Sequence, residues 1–211
     1  NNTFLGTYVF MEKIKRDDDR LDLEPMDQSV RSGDELTGGY ILKIDKTSGD
    51  TEDSDWGGDA RYSEFLSFRS IYSPNEQVIG NLPFGDKQGF ETYFLYQYPR
   101  PENINSEQKD YIKNYIRSFE DALVAEDFSG STRAYEEYID VNSFVDFFIL
   151  NELSANPDAY RLSTYMHKNR NGKLKMGPIW DFNIAFGNDG RSSTFEWIYQ
   201  YNNRFGNDLW L

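Results

Sequence analysis

Two short acidic turns with a predicted β-hairpin between them constrain this chain more than any other feature. The first turn is NPD, which ends at Asp158, and the second is WDFN, which contains Asp181. The residues from Tyr160 to Lys168 and from Lys173 to Trp180 are typical of strands, and NRNG at 169–172 is typical of a turn. Because a hairpin brings its ends together, Asp158 and Asp181 are predicted to lie close in space although they are 23 residues apart.

Two neighbouring carboxylates support three kinds of chemistry. They can hold Mg²⁺, share a proton as an acid–base pair, or cap backbone N–H groups. Either aspartate alone is more often structural, because Asp is common in turns. Their pairing across a hairpin favours a functional interpretation for Asp181 and, less strongly, for Asp158.

Composition and charge exclude several classes of function. The 211 residues carry a net charge of −14, whereas a nucleic-acid-binding protein is usually basic, so no nucleic-acid partner is expected. The chain has no cysteine, which excludes thiol catalysis and thiolate metal sites. No apolar window is long enough for membrane insertion by this segment.

The only histidine, His167, lies in the predicted hairpin and is expected to be exposed. No G-x-S-x-G motif accompanies it, so a catalytic triad is improbable.

Two helices and three further strands are predicted, one of them a short aromatic strand within VIGNLPFGDKQGFETYFLYQYPRPENI. TFLGTYVFMEKI, ending near Lys13, and GGYILKIDK, around Lys43, have strand composition. One helix is expected to begin near Asn105 or Ser106, where an apolar stripe at helical spacing follows. The second is expected to begin near Asn142 or Ser143 and to be central and buried, because FVDFFILNEL is apolar on most sides.

The acidic loop at residues 47–59 raises a calcium hypothesis. Asp53 and Asp55 alternate as calcium ligands often do, but the EF-hand glycine and glutamate are missing, which favours a solvated loop. The chain starts within a hairpin at Asn1 and stops on apolar residues at Leu211, so we expect a piece of a longer protein without its leader.

Three stretches of the sequence resemble the CotH kinase-like family, which is named after a bacterial spore-coat protein kinase. These stretches are GTYVFMEKIKRDDDRLDL, GGYILKIDK and LNELSANPDAYRLSTYMHKNRNGKLKMGPIWDFNIAFGN. The last is similar in particular to secreted members from Bacteroidota. The resemblance implies an α+β, atypical protein-kinase-like fold, made mostly of the large helical lobe, with a β-hairpin between two active-site Asp turns and an incomplete small lobe.

The same resemblance implies Mg·ATP-dependent phosphorylation of serine or threonine in an unidentified protein acceptor, outside the cytoplasm or at the bacterial cell surface. It makes Asp158 the catalytic-loop aspartate and Asp181 the Mg²⁺ ligand. Ser163 and Asn183 stand at the other metal positions, where the family pattern has Asn and often Asp. These two departures leave open a catalytically silent kinase-like surface or structural module. A glycoside hydrolase with two carboxylates roughly 5–10 Å apart is a third alternative.

The remaining assignments follow from the resemblance and from position. Glu12 and Lys43 are expected to contact the nucleotide. From position alone, Glu12 is interpreted equally well as a rim charge, and an exposed strand lysine is the favoured interpretation of Lys43. Arg161 is expected to balance the two acids or to face solvent. The phosphate-binding lysine of a kinase would precede Asn1. The chain is interpreted as one domain: 1–46 is the remainder of the small-lobe-like strands, 47–103 is an irregular insertion and linker, and 104–211 is the helical lobe with the catalytic hairpin.

Overall fold

A computed structural model describes residues 12–47, 62–72, 91–125, 133–188, 197–200 and 210. Its helices and strands form a mixed α+β fold, as predicted. The strands are β1 (Tyr40–Ile44), β2 (Ser67–Arg69), β3 (Tyr93–Tyr98), β4 (Thr164–Lys168) and β5 (Leu174–Met176), and the α-helices are α1 (Ser106–Val124) and α2 (Val141–Ser154). Two short 3₁₀-helices span Asp34–Thr37 and Ala134–Glu137.

The five described strands form one antiparallel sheet in the order β2-β3-β1-β4-β5. The central strand β1 pairs with β4 in a continuous register from Tyr40 opposite Lys168 to Ile44 opposite Thr164. Strands from all three predicted parts of the chain therefore share this sheet, and the division into those parts stays a prediction. The opening strand predicted up to Lys13 lies almost entirely outside the described residues, as do Asp53 and Asp55 of the calcium hypothesis.

Successive side chains of a strand point to opposite faces, and the two faces of this sheet have different neighbours. Tyr40, Leu42 and Ile44 of β1 join the main hydrophobic core, together with Ile112, Ile116 and Phe119 of α1. Ile41 faces the other way and packs with Ile14, Leu23 and Tyr165 in a smaller cluster, which Trp180 also contacts. Trp180, the residue before Asp181, therefore lies against this second face of the sheet.

Both α-helices begin at side-chain caps. Asn105 accepts a hydrogen bond from the Gln108 backbone, and the Gln108 side chain returns one to the Asn105 backbone, which completes a capping box. Asp140 caps α2 through the backbone N–H of Ser143. The predicted start of α1 is therefore confirmed, and α2 begins one residue before the predicted range.

The prediction that α2 is buried on most sides is wrong. Only Phe147, Asn151 and Ser154 of this helix are buried, whereas Val145, Ile149 and Leu153 are 48 %, 47 % and 76 % exposed. The helix packs on β5 at the edge of the sheet, so the main core reaches one side of it. None of the described helices has the length and apolar character required to cross a membrane.

The turn of the β4–β5 hairpin is held against the start of β1. A Cβ atom on Gly38 would lie 1.9 Å from the backbone nitrogen of Arg170, so only glycine fits at this position. The buried Lys168 ammonium donates to the carbonyl oxygen of Thr37 at 2.5 Å and lies 4.6 Å from the ring centre of Tyr115. These contacts fix the hairpin whose ends carry the two aspartates.

A buried carboxyl group on α1 predicts how stability depends on pH. Glu120 accepts hydrogen bonds from Ser70 Oγ at 2.5 Å and Trp210 Nε1 at 2.9 Å, and its burial raises the pKa of this carboxyl above 4.5. The folded state therefore retains the proton more strongly than the unfolded state, and this contribution to stability is lost as pH rises above about 4.5.

Glu120→Gln keeps an oxygen for both donors and cannot ionise. We expect the free energy of unfolding of the wild type to fall relative to that of this variant between about pH 4.5 and neutrality. Urea denaturation of both proteins across that range checks the expectation. Parallel pH profiles would show that Glu120 does not titrate on folding.

Candidate functional site

The last turn of α2 positions the loop that carries Asp158. The helix ends at Ala155, which adopts a left-handed conformation with φ of 48°. Asn156 is 4 % exposed; its amide donates to Asn151 on α2 at 3.1 Å, and its side-chain oxygen accepts from the backbone N–H of Asp158 at 3.3 Å. Two buried asparagines thus connect the helix to the backbone of the candidate catalytic residue.

Arg161 forms an ion pair with Asp158, one of the two acids that it was expected to balance. Arg161 Nη2 lies 2.5 Å from Asp158 Oδ1, and the two side chains are 20 % and 23 % exposed, respectively. Arg161 Nε also donates to the carbonyl oxygen of Pro157 at 3.4 Å. The guanidinium therefore restricts the rotamer of Asp158 and leaves its second carboxylate oxygen available to another donor.

Two of the three candidate metal ligands, Ser163 and Asp181, meet across the base of the hairpin. Ser163 Oγ lies 3.4 Å from Asp181 Oδ2, at the long end of a hydrogen bond, and Asp181 is exposed. Ser163 precedes β4 because the turn around Asp158 occupies the residues up to Leu162, so the strand begins four residues later than predicted. Asn183 is also exposed, and its backbone carbonyl accepts from the Asn188 side chain at 2.6 Å.

Backbone strain is concentrated around these residues. Six non-glycine residues of the described chain have positive φ, and five of them flank the hairpin; those five are Ala155, Tyr160, Ser163, Asp181 and Phe186. Left-handed conformations at residues other than glycine are uncommon, and they cluster at functional sites where the surrounding structure enforces them. The strain at both Ser163 (φ 50°) and Asp181 (φ 62°) is what places the hydroxyl and the carboxylate opposite each other.

A cavity of about 420 Å³ lies on the sheet face that is remote from the helices. Its polar and aromatic lining includes Lys13, Lys43, Arg100, Glu102, Tyr165 and Trp180. The volume is in the range of small-molecule sites, and three cations to one anion make the lining basic in a chain whose net charge is −14. Trp180, which lines this cavity, directly precedes Asp181 in the sequence.

Lys43 and Glu12 occupy different surroundings. Lys43 is 8 % exposed and lies opposite Tyr165 in the β1–β4 register, so the interpretation of Lys43 as an exposed strand lysine is wrong. Glu12 is exposed and forms an ion pair with Arg20. The structure therefore brings Lys43, and not Glu12, to the wall of the cavity.

From their aromatic character, Trp180, Phe182 and Phe186 are predicted to be core residues, and the structure differs from this prediction and from the prediction for His167. Trp180 and Phe182 are half-buried, but Phe186 is 76 % exposed and is not a core residue. His167 is half-buried rather than exposed; its Nδ1 lies 3.0 Å from the carbonyl oxygen of Gly177, and burial lowers its pKa. His167 lies between Ile41 of β1 and Lys175 of β5 in the sheet. The local sequence pattern does not reveal these two neighbouring strands.

The donor set at Asp181 fits Mg²⁺ only as part of a shell. Within the described ranges, no three His, Cys, Asp or Glu side chains lie close enough together to hold a metal ion. Asp181 and Ser163 nevertheless supply one anionic and one neutral oxygen, and Mg²⁺ prefers oxygen ligands and commonly takes one or two carboxylates, waters and substrate phosphates. The residues therefore fit a metal ion that arrives with a nucleotide, rather than a permanent metal centre.

Several residues of the site have no signal in the sequence. Arg100 in the cavity wall, Glu152 on α2 and the asparagine pair all depend on contacts between segments that are distant along the chain or on burial. Only the tendency of Asn to accept a hydrogen bond from the backbone two residues on, which Asn156 does with Asp158, could have indicated a shaped loop.

Comparison with known protein families gives a match. A family model described as CotH kinase protein matches residues 1–211. The chain therefore belongs to the CotH kinase family. Comparisons with curated proteins and with solved structures gave no match.

Proposed function

We propose that this protein transfers the γ-phosphoryl group of Mg·ATP to serine or threonine residues of a protein acceptor. The observation that carries the proposal is the contact of Ser163 with Asp181 across the base of the hairpin, with both residues held in left-handed conformations. The left-handed backbone at both residues places the hydroxyl beside the carboxylate, and this pair of oxygens is suited to completing a metal shell. Membership of the CotH kinase family supports a role for that shell in phosphoryl transfer.

Asp158 is assigned the role of the catalytic-loop aspartate. Its other carboxylate oxygen accepts the hydrogen bond of the acceptor hydroxyl and orients that hydroxyl toward the γ-phosphorus. It receives the hydroxyl proton as the new O–P bond forms and the bond to the ADP leaving group breaks. Arg161 holds the opposite side of the carboxylate and places a positive charge beside it. Asp158 thus stays oriented between successive acceptors.

Asp181 and Ser163 are assigned to the metal ion, with Asn183 as a further neutral ligand. When bound, Mg·ATP supplies the transferred group and the positive charge that offsets the phosphate oxygens. With a single anionic ligand among these three residues, the protein binds that metal ion mainly in company with the nucleotide.

The cavity on the second face of the sheet is assigned to the nucleotide. Lys43, Lys13 and Arg100 would attract the phosphates, and the rings of Tyr165 and Trp180 provide flat apolar surfaces for a base. In this arrangement the sheet forms the floor of a kinase-like cleft, and the helices on its other face support the catalytic loop.

Lys43→Met is expected to raise the KM for ATP by roughly ten- to a hundredfold, because a hydrogen bond from a charged donor contributes about 1.5–3 kcal/mol. Lys46→Met is the matched control, since Lys46 is exposed just after the same strand and is not in the cavity wall. Steady-state kinetics of both variants measure the difference. Equal KM values would remove Lys43 from the nucleotide site.

Calorimetry with Mg·ATP tests the nucleotide assignment before any acceptor is known. The wild-type protein is expected to bind ATP in the presence of Mg²⁺ and to bind it more weakly when the metal is chelated. If the protein shows no heat of binding with or without Mg²⁺, the proposal fails at its first step.

A further inference from the structure

A second carboxylate, Glu152, joins three parts of the chain beside the candidate catalytic loop. It lies in the last turn of α2, and its Oε1 accepts from the hydroxyl of Tyr160 at 2.6 Å and from the backbone N–H of Tyr199 at 3.1 Å. Its Oε2 accepts from the backbone N–H of Ile198 at 2.6 Å. Helix, catalytic loop and the segment that follows Asp181 therefore meet at one side chain.

Other contacts hold the same three parts together. Ile198 is fully buried against Ala155 and Ala159 of the loop. Closer to Asp181, the backbone N–H of Phe186 donates to the carbonyl oxygen of Ser154 at 2.6 Å. The chain after Asp181 is thus anchored to the end of α2 at two points, and Glu152 supplies the hydrogen bonds of the second.

The geometry of this junction requires a carboxylate. All three partners of Glu152 are donors, and an ionised carboxylate only accepts hydrogen bonds. A glutamine would turn an NH₂ group toward at least one donor and leave it unpaired. Tyr160 itself has φ of 71°, so its hydrogen bond to Glu152 helps to hold a strained backbone two residues after Asp158.

We propose that Glu152 is a positioning residue, which couples the segment after Asp181 to the loop that carries Asp158. This inference rests on the proposed phosphoryl transfer. Glu152 touches neither aspartate; it acts through Tyr160 on the catalytic-loop side and through Ile198 and Tyr199 on the other. Its effect on the reaction is therefore an effect on the relative placement of two segments, so it appears in kcat and not in nucleotide affinity.

The test uses Glu152→Gln, Tyr160→Phe and their combination in the complete protein. Asp146→Asn is the matched control, because Asp146 is an exposed acid on the same helix and its replacement removes the same charge. For Glu152→Gln we expect kcat to fall about tenfold with the KM for Mg·ATP unchanged, and for Tyr160→Phe a smaller fall. The combined variant should lose less than the product of the two effects, because both substitutions remove the same hydrogen bond.

Hydrogen exchange provides a readout that does not depend on activity. The amides of Ile198 and Tyr199 should exchange faster in Glu152→Gln than in the wild type or in Asp146→Asn, while amides of the central strand β1 keep their protection. Unchanged exchange at these two amides, or an unchanged kcat in an active enzyme, overturns the inference. If the wild type transfers no phosphate, the proposed function fails, and the positioning role of Glu152 in that reaction fails with it. Faster exchange at Ile198 and Tyr199 in Glu152→Gln would then show only that Glu152 holds the two segments together.

Discussion

Replacing Asp158 with asparagine is expected to lower the rate of phosphoryl transfer by roughly 10²–10⁴-fold, which is the usual contribution of general-base catalysis. Asparagine retains an oxygen for the hydrogen bond from Arg161, so the loop should keep its shape. It cannot take the proton of the acceptor hydroxyl. Mg·ATP should therefore bind with wild-type affinity while transfer is nearly lost.

Single-turnover transfer and calorimetry on the same preparations separate these two quantities. The exposed Asp146→Asn is the control for loss of one negative charge. Transfer at the wild-type rate by Asp158→Asn would remove this residue from the reaction. A parallel loss of nucleotide affinity would instead assign Asp158 to the binding site.

Replacing Asp181 with asparagine is expected to abolish the metal-dependent part of ATP binding and, with it, detectable transfer. Asp181 is the only anionic residue among the three proposed metal ligands, and Mg²⁺ binds neutral amide and hydroxyl oxygens much less tightly than a carboxylate. Ser163→Ala removes one neutral ligand and should weaken the metal dependence by a smaller factor. Titration of ATP at several Mg²⁺ concentrations measures both effects, and equal losses in the two variants would contradict the proposed division between these ligands.

Local sequence predicted α1, the hairpin and the strand around Lys43, although both hairpin strands are shorter than predicted. The cap at Asn105 precedes a stripe of apolar residues at helical spacing, and the NRNG turn separates two short strands, so α1 and the hairpin follow from neighbouring residues alone. The strand around Lys43 follows from its β-branched and aromatic composition. In each case the signal and the structure it determines occupy the same few residues.

The remaining features depend on contacts between distant segments. An apolar helix was predicted to be buried on most sides, but α2 lies at the sheet edge, and Leu153 remains 76 % exposed. The burial of Lys43 requires the opposite strand β4, more than 100 residues further along the chain by sequence number. The three hydrogen bonds of Glu152 involve residues on two other segments, and no local pattern marks such a junction.

Some features of the candidate site also follow from local sequence, and others depend on the surrounding structure. Asp158 and Asp181 were selected from their turns, and the ion pair with Arg161 joins residues three positions apart, so it could be expected from spacing. The contact between Ser163 and Asp181 could not, because it needs left-handed backbone at both residues. Left-handed backbone is uncommon for Ser, and although Asp tolerates it more readily, the local sequence does not specify it at either residue.

Transfer of labelled γ-phosphate from ATP tests the central claim most directly. The protein is incubated with [γ-³²P]ATP, Mg²⁺ and a mixture of acceptor proteins, alongside Asp158→Asn, Asp181→Asn and the control Asp146→Asn. The account predicts label on serine or threonine with the wild type and the control, and none above background with either active-site variant or after chelation of the metal. Absence of transfer by a wild-type protein that binds Mg·ATP, or undiminished transfer by Asp181→Asn, would contradict it.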